Sequence, residues 1–494
     1  MAERDFEARH LDTLDRDLGR YSNMELALSH AGRPVVGYGI AFVFVVLAGV
    51  VAAAVFGQTS NTFVVVIAAI FGAYMALNIG ANDVANNMGP AVGANALTMG
   101  GAIVIAAVFE SAGALIAGGD VVSTIAKGII APQDMHDPST FIWAMMAALL
   151  SSALWVNLAT WLGAPVSTTH SVVGGVMGAG VAAAGLGAVS WGTMGSIAAS
   201  WVISPVLGGL IAAAFLWFIK SRVIYRDDKI AAARTWVPVL VGVMGGTFAS
   251  YLVLKGLKKL VSIDLPGALG IGVLIGVLLW LAMIPVIRRQ SEGLENRNKS
   301  LKILFGIPLI VSAALLSFAH GANDVANAVG PLAAIVQASS TGDFTQAVSI
   351  PYWVTVIGAL GISFGLFLFG PKLIRVVGGQ ITKLNPMRAY CVALSAAITV
   401  IFASWLGLPV SSTHIAVGAI FGVGFFREWH SERRLRQMRL AVPDRPLLAP
   451  EERRRRKLVR RSHFLTIVAA WVITVPAAAG LSAVIFVVIN ALAS

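Results

Sequence analysis

The heptapeptide GANDVAN occurs twice in this sequence, at Gly80–Asn86 and at Gly321–Asn327, and each copy lies within a long apolar segment. A charged side chain in hydrocarbon costs roughly 3 kcal/mol on insertion scales, so an ionisable residue at such depth usually has a function. Carboxylate and carboxamide oxygens suit a hard cation such as Na+. The two motifs therefore predict a cation site. Its candidate ligands are Asn82, Asp83, Asn86, Asn323, Asp324 and Asn327.

A hydroxyl-rich element follows each heptapeptide, PVSTTH at Pro165–His170 and PVSSTH at Pro409–His414. Proline disfavours helix in the residue before it and is accepted at a first helical position, so each proline is predicted to begin a helix. The hydroxyls then fall in the first turn, where unpaired N–H groups favour an anion. The candidate anion ligands are Ser167, Thr168, Thr169, Ser411, Ser412 and Thr413.

These motifs contain the carboxylates Asp83 and Asp324 but no Lys or Arg. A bound oxyanion would meet uncompensated negative charge, which co-bound Na+ or protons on the carboxylates would remove. Coupling of an anion to a cation is therefore predicted. Phosphate carries a hydroxyl proton at neutral pH that a carboxylate can accept, and sulfate does not. Helix capping and interhelical hydrogen bonds explain a single copy equally well, but not the duplication.

Composition identifies the elements that must position these residues. The chain is 57% hydrophobic and only 12% charged, against about 25% charged in a typical soluble domain. Apolar runs of about 20 residues, enough to cross a bilayer, recur along the chain. We predict an all-α polytopic membrane protein with about 11 transmembrane helices. The spans lie near 36–56, 62–79, 101–118, 139–163, 194–219, 236–256, 265–287, 303–320, 350–370, 389–407 and 464–492.

The order and spacing of the motifs indicate an internal duplication. The linkers 220–235 and 288–302 each carry five Lys or Arg, so both are predicted to be cytoplasmic. The matched loops 119–138 and 371–388 carry one and four basic residues, respectively. This opposite polarity predicts an inverted-topology repeat with its site near the midplane, the N-terminus inside and the C-terminus outside. Gly80, Gly89 and Pro90, and their counterparts in the second copy, favour a broken helix that frees carbonyls for a cation.

The predicted organisation has five parts. They are a soluble cytoplasmic tail (1–35), an extra transmembrane helix (36–61), transport repeat 1 (62–220), basic linkers with two connecting helices (221–302), and transport repeat 2 (303–494) with a basic cytoplasmic loop (427–463). The net charge of +12 is concentrated in that loop and in the linkers, which indicates topology rather than nucleic-acid binding. Cys391 is the sole cysteine, so an intramolecular disulfide is excluded.

GANDVAN followed by PVS(T/S)TH, twice, resembles the inorganic phosphate transporter (Pit) family from about residue 62 to 492. The stretch ALTMGGAIVIAAVFESAGALIAG and the later IAKGII resemble the sodium-coupled animal and chloroplast members. The resemblance implies two re-entrant hairpins that carry the PVS(T/S)TH tips. It also implies that Asp83, Asn86, Asp324 and Asn327 bind cation and phosphate, and that the six hydroxyl residues cradle phosphate. Glu110 has no acidic counterpart in the second repeat, and is either a further cation or proton site or a buried neutral carboxyl.

The resulting hypothesis is a phosphate importer of a bacterial inner membrane that works by symport with Na+, or with H+, through alternating access. The expected partners are inorganic phosphate, the cation and the bilayer, and no cofactor is expected. The sequence is compatible with a homo-oligomer as well as with a monomer. A sulfate or thiosulfate permease of the same fold and an anion channel are the alternatives. An enzyme is disfavoured because no nucleophile motif such as G-x-S-x-G surrounds the serines of the hydroxyl elements.

Overall fold

The computed structural model describes residues 35–441 and 461–493, apart from residues 58, 60, 131–134, 136, 165, 257–262, 343–348 and 377–383. Residues 1–34 of the predicted soluble tail and residues 442–460 of the predicted basic loop lie outside the described residues, as does Pro165. Across the described ranges the chain is helical and contains no β-sheet. The all-α class predicted from composition is confirmed.

The described residues of the first part of the chain form eight α-helices. They are α1 (Val35–Phe56), α2 (Thr62–Asn82), α3 (Val84–Gly93), α4 (Met99–Ala117), α5 (Gly119–Ser123), α6 (Pro138–Leu162), α7 (Thr168–Ala184) and α8 (Trp191–Ile219). Two helices connect this part to the second motif set: α9 (Lys229–Lys255) and α10 (Leu265–Gln290). The remainder comprises α11 (Asn298–Leu304), α12 (Gly306–Asp324), α13 (Ala326–Thr341), α14 (Tyr352–Val376), α15 (Pro386–Trp405), α16 (Ser412–Ala441) and α17 (Arg461–Ala493).

Eleven of the described helices are long and apolar enough to cross a membrane, when α2 with α3 and α12 with α13 are counted as one each. They coincide with the eleven predicted spans. Two are longer than predicted, because the spans near 62–79 and 303–320 extend to Thr62–Gly93 and Gly306–Thr341. The helix passes through both GANDVAN motifs, and each Asn and Asp of the motifs has a hydrogen bond to another element, while Asp324 Oδ1 and Asn327 Oδ1 are buried without a partner among the described residues. The first part of the predicted basic loop, up to Ala441, is also helical.

The predicted broken helices are kinks rather than unwound segments. Asp83 interrupts the helix for one residue and keeps right-handed helical angles, φ −84° and ψ −28°. Pro90 and Pro331 lie inside α3 and α13. Proline lacks an N–H, so neither can donate to the carbonyl four residues earlier, which belongs to Asn86 or Asn327. The motif therefore frees one carbonyl per copy without opening the helix.

Two helical hairpins carry the hydroxyl elements. In the first, α6 ends at Gly163 in the left-handed conformation, φ 73°, and α7 begins at Thr168 with Ser167 as its N-cap. In the second, α16 begins at Ser412, three residues after Pro409. The prediction that Pro409 begins the helix was wrong. The Ser167 and Ser411 hydroxyls accept hydrogen bonds from the backbone N–H groups of His170 and His414, respectively. These caps fix the residues at which α7 and α16 begin.

The two repeats interlock through close helix crossings. A Cβ at Gly80 of α2 would lie 1.9 Å from the Ile362 carbonyl oxygen of α14, and a Cβ at Gly321 of α12 would lie 2.1 Å from the Glu110 carbonyl oxygen of α4. Only glycine permits these approaches. Each GANDVAN helix therefore packs against a helix of the other repeat, and Ile362 occupies the position that corresponds to Glu110.

Candidate functional site

Asp83 and Asp324 lie at the kinks of their helices, in the interior of the molecule. Each is only 1% exposed. The amide, hydroxyl and imidazole groups around them come from both repeats and are buried as well. Among the described residues, no Lys or Arg side chain is in hydrogen-bond or ion-pair contact with Asp83, Glu110 or Asp324. Within this set of contacts, an anion would find cationic charge only on histidine or on a co-bound cation.

Asn82 and Asn323 attach the hairpin tips to the kinked helices in the same way. The Asn82 amide donates to Thr160 Oγ1 at 2.9 Å and to the Ala164 carbonyl at 3.3 Å, and its oxygen accepts from Val166 N at 3.3 Å. Asn323 repeats this pattern in the second hairpin. It donates to Ser404 Oγ and the Leu408 carbonyl and accepts from Val410 N, at 2.9, 3.2 and 3.3 Å. Both carboxamides are thus engaged with backbone and hydroxyl groups of the tips.

The first-turn hydroxyls divide into capping and carboxylate-facing groups. The hydroxyls of Ser167 and Ser411 cap their helices, accepting from the N–H groups of His170 and His414 at 3.1 and 3.3 Å. Thr168 donates to Asp83 Oδ2 at 2.5 Å. The matching Ser412 hydroxyl is 3.4 Å from Asp324 Oδ2. The six predicted hydroxyl residues are therefore brought to one place with different local partners.

Hydrogen bonds between the repeats close the cluster. Asn86 donates to Thr413 Oγ1 of the opposite hairpin at 2.8 Å, and Thr413 donates to Asp83 Oδ1 at 3.2 Å. Asn327 reaches the first hairpin, with its amide 3.2 Å from Thr169 Oγ1 and 3.3 Å from Thr168 Oγ1. Each carboxamide contacts the hydroxyl element of the other repeat. The predicted residues thus form one shared cluster rather than two separate sites.

His320 joins the acidic groups on one side of this cluster. Its Nε2 is 2.8 Å from Asp324 Oδ2 and 4.0 Å from Asp83 Oδ2, and its Nδ1 is 3.2 Å from Glu110 Oε1. Ligand atoms of Asp83, His320 and Asp324 lie within 4.8 Å of one another, so these three residues could hold a metal ion. The sequence predicted oxygen ligands alone, and the imidazole adds a nitrogen.

Asn87 is a site residue that sequence reasoning missed. Its amide donates to Glu110 Oε1 at 3.0 Å, and both side chains are fully buried. In the second repeat the corresponding positions hold Ala328 and Ile362. The available signal was the doubled asparagine of the first copy, VANN against VANA. Glu110 and Asn87 therefore make the site asymmetric.

The two histidines that end the hydroxyl elements meet behind the tips. The rings of His170 and His414 are 4.3 Å apart between centroids and nearly perpendicular. Trp201 packs on His170 at 3.8 Å and donates from Nε1 to the Pro409 carbonyl at 3.2 Å. These contacts hold the hairpins together.

A buried carboxylate, amide and hydroxyl cluster at the crossing of two repeats, within membrane-length helices, can bind a small anion together with cations. Comparison with known sequences identifies the anion more closely. Residues 79–482 match the phosphate transporter family. The chain belongs to the phosphate transporter family. It is a multi-pass membrane protein, and the resemblance found in its motifs is confirmed.

Relatives cover most of the chain. A Helicobacter pylori protein with the provisional name of phosphate permease is 46% identical over 91% of this chain and 94% of its own. A Pyrococcus abyssi protein with the same provisional name is 37% identical over 84% of this chain and 96% of its own. A solved structure titled "The sodium-dependent phosphate transporter" superposes with a TM-score of 0.78 at 35% identity, covering 87% of this chain and 99% of that one. Phosphate transport is the function that these findings support.

Proposed function

We propose that this phosphate transporter family member imports inorganic phosphate by symport with Na+, using alternating access of the two repeats. The observation that carries the proposal is the shared cluster, in which Asn86 and Asn327 each reach the hydroxyl element of the opposite repeat. A ligand bound there touches both repeats. Relative movement of the repeats would therefore expose the same site to either side of the membrane.

The charge of the cluster supports coupling. Asp83, Glu110 and Asp324 are buried together without Lys or Arg, and phosphate adds further negative charge. Cations bound to the carboxylates would offset this repulsion. Phosphate and the cation would therefore each bind weakly alone and more tightly when both are present. The structure titled as sodium-dependent favours Na+ over H+ for this chain.

We assign roles from the contacts. Asp83, Asp324 and Glu110 are proposed to bind the cation, together with oxygens of Asn86 and Asn327. Thr168, Thr169, Ser412 and Thr413 are proposed to turn their hydroxyl protons from their present acceptors, which are Asp83, the Val410 carbonyl and Asp324, to phosphate when cations occupy the carboxylates. Ser167 and Ser411 cap the helices that carry these donors, and Asn82 and Asn323 hold the tips in position.

The decisive experiment is uptake of labelled phosphate into proteoliposomes that contain the purified protein. One set receives an inward Na+ gradient with choline outside as the control, and a second set receives a pH gradient without Na+. We expect uptake only with the Na+ gradient, and little inhibition by an equal concentration of sulfate. Uptake driven by neither gradient would refute symport, and uptake driven only by pH would replace Na+ with H+.

A further inference from the structure

A cavity of about 790 Å³ lies between α1, α2, α6 and α14, separate from the cluster of acidic and hydroxyl groups. Thr160 lines this cavity and also holds Asn82, so the cavity reaches the outer side of one hairpin tip. Most of its wall is apolar, with Phe42, Phe369 and Leu373 among the lining residues. Its volume is in the range of pockets that hold drug-sized molecules.

The fold does not require this cavity, because the corresponding place in the other repeat is filled. Phe318 in the second repeat corresponds to Leu77 in the first. The backbone of Phe318 lies against Gly113 of α4, and the backbone of Leu77 lies against Gly365 of α14. Phe318 packs against Phe248 and Tyr251 of α9, at 5.0 and 6.4 Å between ring centroids. Side chains of the protein itself therefore occupy that place.

On the cavity side, α1 and α2 meet α14, and Leu77 stands in place of a phenylalanine. Helix α1 lines the cavity with both small and large side chains, Gly37, Ala41, Tyr38, Phe42 and Val45, and the Tyr38 ring contacts Phe369 at 5.5 Å between centroids. A volume of about 790 Å³ is nevertheless left open between these side chains. Such a local departure from an otherwise repeated packing indicates a ligand.

The charged residues at the cavity indicate the chemical class of the ligand that it would bind. Lys372 and Arg375 line it and are exposed. Asp120, which corresponds to Lys372, is paired with Lys255. Within the described residues, neither Lys372 nor Arg375 has a carboxylate within 4.0 Å, and Lys372 Nζ is 3.4 Å from the Trp161 carbonyl. Two cations that have no carboxylate partner among the described residues, beside an apolar wall, are complementary to an anionic head with an apolar tail.

We propose that this cavity binds an anionic phospholipid, with the headgroup phosphate on Lys372 and Arg375 and an acyl chain against Phe42, Phe369 and Leu373. Free phosphate shares the chemistry of the headgroup but would leave the apolar wall uncovered. Loop charges predict that this end of α14 faces the cytoplasm, where basic residues meet anionic lipid. The occupant is therefore a lipid of the inner leaflet.

Native mass spectrometry of the full chain in mild detergent tests the headgroup site by titration with phosphatidylglycerol and, separately, phosphatidylcholine. Phosphatidylglycerol should bind more tightly to the wild type. The double variant Lys372→Gln with Arg375→Gln should lose roughly thirtyfold in affinity for it. The matched variant Arg289→Gln with Lys299→Gln removes two exposed cations elsewhere and should bind like the wild type. Equal binding by both double variants would overturn the proposal.

The apolar part of the cavity is tested without a change of charge. Ala41→Trp fills the cavity and should also lose phosphatidylglycerol, whereas Val50→Trp, on an exposed part of the same helix, should not. Millimolar inorganic phosphate should leave the bound lipid in place. Displacement by phosphate would identify a phosphate vestibule and overturn the lipid assignment. These measurements need no ion gradient, so their outcome is independent of the proposed symport.

Discussion

Replacing Asp324 with asparagine keeps the shape of the side chain and removes its negative charge. The carboxylate is 1% exposed and faces His320 Nε2 at 2.8 Å, within a cluster that lacks buried Lys or Arg. At an effective dielectric constant near 20, two unit charges about 4 Å apart interact by about 4 kcal/mol. Loss of this interaction should weaken cation binding about a thousandfold. Na+-driven phosphate uptake by Asp324→Asn should therefore be abolished at physiological Na+.

The assay is initial phosphate uptake into proteoliposomes over a series of Na+ concentrations. Asp120→Asn is the matched control, since it removes a half-exposed carboxylate that pairs with Lys255 and should leave Na+ dependence unchanged. Size-exclusion chromatography and thermal unfolding verify that both variants are folded. If folded Asp324→Asn takes up phosphate with the Na+ dependence of the wild type, this carboxylate is not a cation ligand and the charge argument is wrong.

Three further substitutions separate binding from folding. Ser412→Ala removes one donor and should raise the KM for phosphate about fivefold, the effect of about 1 kcal/mol, with little change in maximal uptake. Asn323→Ala leaves buried backbone groups of the second tip unpaired, so we expect a lower unfolding temperature and a loss of about 2 to 4 kcal/mol of stability. Gly321→Ala places a methyl group 2.1 Å from the Glu110 carbonyl oxygen and should abolish the folded protein, whereas Gly100→Ala, with nothing within 4 Å, should be neutral.

Each of these predictions has a clear contrary result. An unchanged KM in Ser412→Ala would remove that hydroxyl from phosphate binding. An unchanged unfolding temperature in Asn323→Ala would mean that its contacts with the tip contribute nothing to stability. A monodisperse Gly321→Ala protein at normal yield would mean that α12 and α4 cross at a greater distance.

The spans could be predicted from sequence because a run of about 20 apolar residues identifies a membrane helix without tertiary information. The motif residues were identified for a related reason, since Asp83 and Asp324 are conspicuous in apolar surroundings. The residues at which helices begin were harder to predict from the sequence. Proline marks a boundary only loosely, whereas the caps at Ser167 and Ser411 fix it within one residue.

Contacts between the repeats could not be predicted, because they depend on how distant helices cross. Nothing in the local pattern pairs Asn86 with Thr413, which is 327 positions away. The same applies to Asn87, which joins the site only because Glu110 of α4 comes within 3.0 Å. The kinks also differ from the expected unwound helices. The hairpin tips hydrogen-bond each Asn and Asp of the motifs through at least one atom, so the helices can continue through both motifs.

The crossings that require Gly80 and Gly321 have a consequence for biosynthesis. The face of α2 at Gly80 is covered by α14, and the face of α7 at Gly178 is covered by α17, where a Cβ would lie 2.2 Å from the Ala479 carbonyl oxygen. The ribosome makes α14 and α17 after the whole of the first repeat. The nascent first repeat must therefore wait in the bilayer with these glycine faces uncovered until α14 and α17 have been made. A chain truncated before α14 should be a substrate for membrane proteases rather than a stable half-protein.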